Sequence, residues 1–129
     1  MKLKYVILYV PDVAAALGFY EAAFGLMRRM LHEGGDYAEV ETGETVLAFS
    51  AHDLIRSLGK TPGQADAERP IFEIALETLD VAAAVERAMS AGARLISPPT
   101  EQPWGQTIAY VSGPDGHLVE LCTPVTSQP

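Results

Sequence analysis

The sequence predicts an α+β fold built from two βαβββ modules, and three observations predict it. A short pattern recurs, Asp12-Val13-Ala14-Ala15-Ala16 returning as Asp80-Val81-Ala82-Ala83-Ala84. Each copy follows a β-prone run and ends at a glycine, Gly25 or Gly92, in the order strand, cap, helix, stop. Further β-prone runs divided by turn residues follow each helix. The modules are 1–52 and 69–124, with 53–68 as their linker, in a single domain spanning 1–129.

Residues 3–10 (Leu-Lys-Tyr-Val-Ile-Leu-Tyr-Val) read as a strand of the buried type, closed by Pro11-Asp12. Asp12 is a natural N-cap for a helix over 13–24, where Val13, Leu17, Tyr20 and Phe24 recur at helical spacing and Gly25 stops the run. That spacing assigns Phe19, Tyr20 and Phe24 to helix packing. A short strand over 26–31 and the turn Gly34-Gly35 come next. Tyr37–Glu41 and Glu44–Ser50 then form a hairpin across Thr42-Gly43. The polar stretch 51–69, with its Pro and Gly, has room for one helical turn near 53–58.

In the second module, strand 71–77 leads through Leu79-Asp80 into a helix over 81–91, stopped at Gly92. A strand over 93–96 is followed by a loop, Ser97-Pro98-Pro99-Thr100-Glu101-Gln102-Pro103. The last hairpin pairs 107–112 with 117–122 around Gly113-Pro114-Asp115-Gly116, where Pro presets φ and Gly takes positive φ. The tail from Thr123 to Pro129 is expected to be loose.

Composition removes whole classes of function. Nine Lys+Arg against seventeen Asp+Glu, a net charge of −8, cannot make a basic stripe, so nucleic acid is excluded as a partner. An apolar share of 48% is that of a globular chain. One cysteine, Cys122, excludes an internal disulfide and fits a reducing compartment. The apolar run after Met1-Lys2-Leu3-Lys4 is too short for a signal peptide, and no run reaches membrane-spanning length. The chain is therefore expected to be complete and cytoplasmic, with no membrane partner.

Alternation places Leu118, Glu120 and Cys122 on one face of the last strand. A carboxylate amid apolar strand residues is costly unless that face meets water, a cation or a polar ligand. The repeat offset of 68 residues sets Tyr5 against Glu73 in the first strands, and the last strands set Ala48 against Glu120. If helices cover one sheet face, the other carries Tyr5, Ile7, Tyr9, Val46, Ala48, Ser50, Glu73, Ala75, Leu118 and Glu120. Two carboxylates and two phenols suit the floor of a ligand cleft better than a dry core.

The chain resembles the vicinal oxygen chelate superfamily of glyoxalases, extradiol dioxygenases, and fosfomycin- and bleomycin-resistance proteins. The resemblance rests on Leu8-Tyr9-Val10-Pro11-Asp12-Val13, Phe19-Tyr20-Glu21, Phe24-Gly25-Leu26, Gly92-Ala93, Pro103-Trp104-Gly105 and Gly113 through Leu121. It implies curled mixed sheets around a shared cleft, a glyoxalase-like fold, and a homodimer. It also implies four metal-ligand positions, which fall here on Tyr5, Ala48, Glu73 and Glu120. Only Glu73 and Glu120 are ordinary ligands; Tyr5 stands where His is usual, and Ala48 has no donor. His32 and His52 lie in or beside loops, and His117 points away from Glu120.

No metal or other cofactor is therefore expected. The expected function is metal-independent binding of a small, cationic or aromatic molecule, as in the bleomycin-resistance branch, which confers antibiotic resistance by sequestration. Glu73, Glu120, Trp104, Tyr5 and Tyr9 are the candidate ligand contacts. Trp104 would wall the cleft with a rigid ring, although Trp104, Tyr5 and Tyr9 could equally be packing residues. The acids could also be solvated and idle. The alternative is a lyase, isomerase or dioxygenase that holds Mn, Mg, Ni, Zn or Fe through Glu73, Glu120 and Tyr5. Cys122 reads as a packed small side chain.

Overall fold

The computed structural model describes residues 1–125. The element order is β1 (Tyr5–Val10), α1 (Val13–Phe24), β2 (Met27–Leu31), β3 (Tyr37–Glu41), β4 (Val46–Ala51), α2 (His52–Ser57), β5 (Glu73–Glu77), α3 (Val81–Ser90), β6 (Arg94–Glu101), β7 (Thr107–Ser112) and β8 (Leu118–Cys122). These elements form two compact units divided between Gln64 and Ala65, inside the polar stretch expected to link the modules. Both units have the βαβββ order, so the α+β, glyoxalase-like reading holds.

The first unit is a four-stranded sheet in the order β1-β4-β3-β2, and the second repeats it as β5-β8-β7-β6. In each, the first and last strands run parallel and the other pairs antiparallel. The recurring Asp-Val-Ala-Ala-Ala has one structural job in both. Asp12 Oδ1 accepts the Ala15 N–H at 3.1 Å, and Asp80 Oδ1 accepts the Ala83 N–H at 3.0 Å. Each carboxylate thus caps a helix by satisfying a backbone donor of the first turn. Gly25, with φ of 67°, closes α1 in the left-handed conformation, and its N–H donates to the Glu21 carbonyl.

Each sheet buries one face under its helix. In the first unit, Leu8, Phe49 and Ala38 form one cross-strand row and Leu47 and Val40 the next, all buried beneath α1. Tyr20 meets Phe49 at 4.9 Å between ring centroids, and Phe19 and Phe24 extend the cluster edge-on. Burying each such side chain contributes roughly 1.5–3 kcal/mol. In the second unit Val119, Val111, Leu121 and Ala109 play the same part against Val81, Val85 and Ala88 of α3.

Two sequence expectations change in detail. The linker holds more helix than one loose turn, since α2 spans His52–Ser57 and buries Ile55. The loop expected at 97–103 is mostly strand, because β6 runs on through Ser97, Pro98 and Pro99 to Glu101. β6 is an edge strand whose register slips between Ser97 and Thr100, and there a proline breaks no ladder bond that the sheet needs. Residues 126–129 of the tail expected to be loose lie outside the described residues.

The turn at 113–116 also anchors the beginning of its unit. A Cβ on Gly116, which has φ of 90°, would stand 2.1 Å from the Ala65 carbonyl oxygen. Only glycine permits that approach. Close by, Asp66 Oδ1 accepts the Glu68 N–H, and the Asp66 carbonyl accepts the Arg69 N–H.

Candidate functional site

The faces turned away from the helices carry the polar chemistry, and strand register places each residue in a row. In the first unit the rows are Ile7–Ala48–Glu39 and Tyr9–Ser50–Tyr37. In the second they are Glu73–Leu118–Ser112, Ala75–Glu120–Tyr110 and Glu77–Cys122–Ile108. Tyr5 pairs with Val46 as Glu73 pairs with Leu118, and Ile7 with Ala48 as Ala75 with Glu120. Tyr5 and Ala48 are thus the first-unit counterparts of Glu73 and Glu120, as the matching of first strands and of last strands implies.

Register brings Glu73 and Glu120 together on neighbouring strands. The Tyr110 hydroxyl donates to Glu120 Oε1 at 2.9 Å. The Glu73 carboxyl is held above the ordinary carboxylate value by partial burial first, then by its hydrogen bond and like charge with Glu120. Burial and Glu120 together push the Tyr110 phenol up to about 12, so it stays a proton donor at neutral pH. The same two causes push the Cys122 thiol up to about 11, and its Sγ lies 3.7 Å from the Leu76 carbonyl. Cys122 is therefore a buried, unactivated thiol.

The first unit carries a different constellation. Glu39 is only 9% exposed, an unusual place for a carboxylate. Both of its oxygens are satisfied: the Tyr37 hydroxyl donates to Oε2 at 2.7 Å and Arg29 Nε to Oε1 at 2.9 Å. Arg29 also reaches Glu41, at 3.3 Å. Burial and Glu39 raise the Tyr37 phenol well above its usual range.

The remaining sequence candidates are each placed within their own unit. Trp104, 56% exposed, occupies the turn between β6 and β7, outside the Glu120–Tyr110 row, and its indole N–H donates to Gln106 Oε1 at 2.8 Å. Tyr5 and Tyr9 share one face of β1; Tyr5 is 46% exposed and Tyr9 half-buried. His117 is buried beside the last turn, and the His32 imidazole contacts Asp36 at the β2–β3 turn.

Sequence reasoning missed Tyr110, Tyr37, Glu39 and Arg29. Tyr110 was within reach of it, because the turn at 113–116 fixes the pairing of 110 with 120. Arg29 was not, since it sits at a bulge that shifts the register of β2 between Arg28 and Met30.

The superfamily's metal positions can be tested against these donors. A transition-metal site generally needs three protein ligands. The second unit offers two carboxyls, of which Glu120 already accepts from the Tyr110 hydroxyl, and the matching first-unit positions offer a phenol and a methyl group. Among the described residues, no group of three or more His, Cys, Asp or Glu side chains is arranged to hold a metal ion. The donor set does not fit the usual centre.

Among the described residues no helix is long and apolar enough to cross a membrane. In fold, the chain is similar to a glyoxalase-related enzyme from Fulvimarina pelagi, with a TM-score of 0.83 and 23% identity over 96% of this chain and 88% of that one. A glyoxalase/bleomycin resistance protein/dioxygenase family enzyme from Burkholderia phytofirmans matches with a TM-score of 0.79, at 23% identity over 98% and 100% of the two chains. In sequence, it is 29% identical to the uncharacterized protein Mb0911c of Mycobacterium bovis, over 92% of this chain and 80% of that protein. The model of one family spans residues 2–121, nearly the whole chain, and on that match the protein belongs to the Glyoxalase/Bleomycin resistance protein/Dioxygenase superfamily.

Proposed function

We propose that the protein binds and sequesters a small molecule without the help of a metal. One observation carries the reading: Glu73, Glu120 and Tyr110 share one sheet face, where the Tyr110 hydroxyl donates to Glu120. Ala48 meanwhile stands where a further metal ligand would be needed. Tyr110 orients Glu120, and as a neutral phenol it retains a lone pair for a ligand. Glu73 and Glu120 offer the remaining acceptors. Trp104, Tyr5 and Tyr9 add aromatic surface, and in this reading they border the bound molecule. Sequestration requires no bond to be made or broken, so no general acid, base or nucleophile is assigned.

In this reading the protein works as a cytoplasmic homodimer and protects its host by keeping a toxic compound from its target. The test pairs two measurements on the purified protein. Elemental analysis followed by titration with Mn²⁺, Ni²⁺ and Zn²⁺ should find no stoichiometric tight site. A thermal-shift screen of planar and cationic compounds, read also by Trp104 fluorescence, should find binders. Tight metal binding that disappears in Glu120→Gln would overturn the proposal in favour of a metal-dependent lyase, isomerase or dioxygenase.

A further inference from the structure

The open face of the first unit holds a polar group that folding leaves unused. Phe49 packs on Tyr20 of α1, so alternation turns its neighbours Ala48 and Ser50 to the opposite face. Ser50 is only 4% exposed, yet its hydroxyl makes no hydrogen bond to any described residue. A buried hydroxyl without a partner costs about 1–3 kcal/mol, which alanine at the same position would avoid. Native structures keep few such groups, and each needs a reason.

The residues around Ser50 shape a trough. On the cross-strand row Tyr9–Ser50–Tyr37 the small side chain lies between two phenols, and on the next row Ala48 lies between Ile7 and Glu39. Small residues on β4 are thus flanked by large ones on β1 and β3. The two walls stand on strands about 10 Å apart, twice the strand spacing. A flat ring stacked on both walls, its centre about 5 Å from each, matches that separation. The Tyr37 hydroxyl donates to Glu39, which holds one wall in place. Arg29 pairs with Glu39, so the carboxylate that borders the trough is already neutralised.

We propose that this trough takes a small, uncharged, flat aromatic molecule. Its ring lies between Tyr9 and Tyr37, and its ring N–H or hydroxyl bonds the Ser50 hydroxyl. The ligand completes the hydrogen bond that the fold leaves open, and an uncharged ring enters without the desolvation cost of an ion. The proposal rests on the sequestration reading, in which Tyr9 borders the bound molecule, and names the class of molecule sequestered.

The test titrates the full chain calorimetrically with indole and with 1-methylindole, which keeps the flat rings but has no N–H. Indole should bind about threefold to tenfold more tightly, the size of one neutral hydrogen bond. Ser50→Ala should erase that difference by weakening indole alone, and without ligand it should not lower the midpoint of thermal unfolding. Ala48→Leu should abolish binding of both compounds by filling the trough, with circular dichroism confirming the fold. If Ala48→Leu does not fold, the Ser50→Ala comparison decides. No indole binding, equal affinity for the two compounds, or a preference for indole that survives in Ser50→Ala would each overturn the proposal. So would a lowered midpoint in Ser50→Ala, or a folded Ala48→Leu that binds undiminished. Other compounds that bind with no response to Ser50→Ala would leave sequestration standing and remove only this ligand class. A tight metal site lost in Glu120→Gln would remove sequestration itself.

Discussion

The first unit neutralises its buried carboxylate from within, whereas the second sets two carboxyls side by side with no ion-paired Lys, Arg or His among the described residues. A fold gains nothing by placing like charges together, so the second arrangement costs stability that ordinary core residues would not. The comparison teaches where this chain tolerates an electrostatic debit: on one face of one unit, around Glu73 and Glu120. Costs of that kind gather at binding surfaces.

The largest effect should come from the two equivalent hairpin turns. Gly116→Ala would press a methyl group onto the Ala65 carbonyl while holding alanine at positive φ, and should destabilise by about 3 kcal/mol. Gly43→Ala, in the matching turn with φ of 101° and no atom within 4 Å, should cost only about 1 kcal/mol. Urea denaturation of both variants measures the difference, and equal losses would contradict the close approach at Ala65.

Next is charge removal. Arg29→Met would leave Glu39 buried beside Tyr37 without its cation, and should cost about 2 kcal/mol, less than the loss of a fully buried pair because Arg29 is partly exposed. Glu73→Gln should leave stability within about 0.5 kcal/mol of the parent, or raise it. If Glu73→Gln proves the more damaging, the contrast between the units is wrong.

The pH dependence follows the same line. A carboxyl whose folded value is raised binds its proton more tightly in the folded state than in the unfolded one. The stability that Glu73 contributes is therefore fully present below its ordinary value of 4.5, and it is lost as pH rises through the folded value. Thermal melts across pH 4–8, an interval of about the usual carboxylate range and above, should show a decline that Glu73→Gln flattens. A parallel decline in parent and variant would remove Glu73 as the cause.

The smallest effect concerns Cys122. With its thiol near 11, about one molecule in a thousand is thiolate at pH 8, and burial slows access further. Labelling by a thiol reagent should be slow in the folded protein and fast in urea. Glu120→Gln should quicken the folded reaction severalfold by removing the charge that helps raise the thiol.

Much of the fold was legible because its rules are local. Asp12 and Asp80 announce two helices by the same cap, and the turn at 113–116 announces the last hairpin. The carboxyl pair was legible because the repeat aligned Tyr5 with Glu73 and Ala48 with Glu120, and the strand register agrees. What escaped depends on irregular backbone. The prolines of β6 read as loop because the sequence does not show that the strand lies at an edge, where prolines are tolerated. Arg29 escaped because alternation assigns it to the face of its neighbours only if no bulge intervenes. Tyr110 and Glu39 needed cross-strand pairing, which joins residues across turns.

The contact of Gly116 with the Ala65 carbonyl has a consequence for the chain as two linked pieces. The second unit fastens its own entry segment to its last hairpin, and every strand ladder stays inside one unit. A protease cut within 58–64 would therefore sever no β-pairing on either side. Each fragment would keep a complete four-stranded sheet and its capped helix. Each half could therefore be produced and studied by itself.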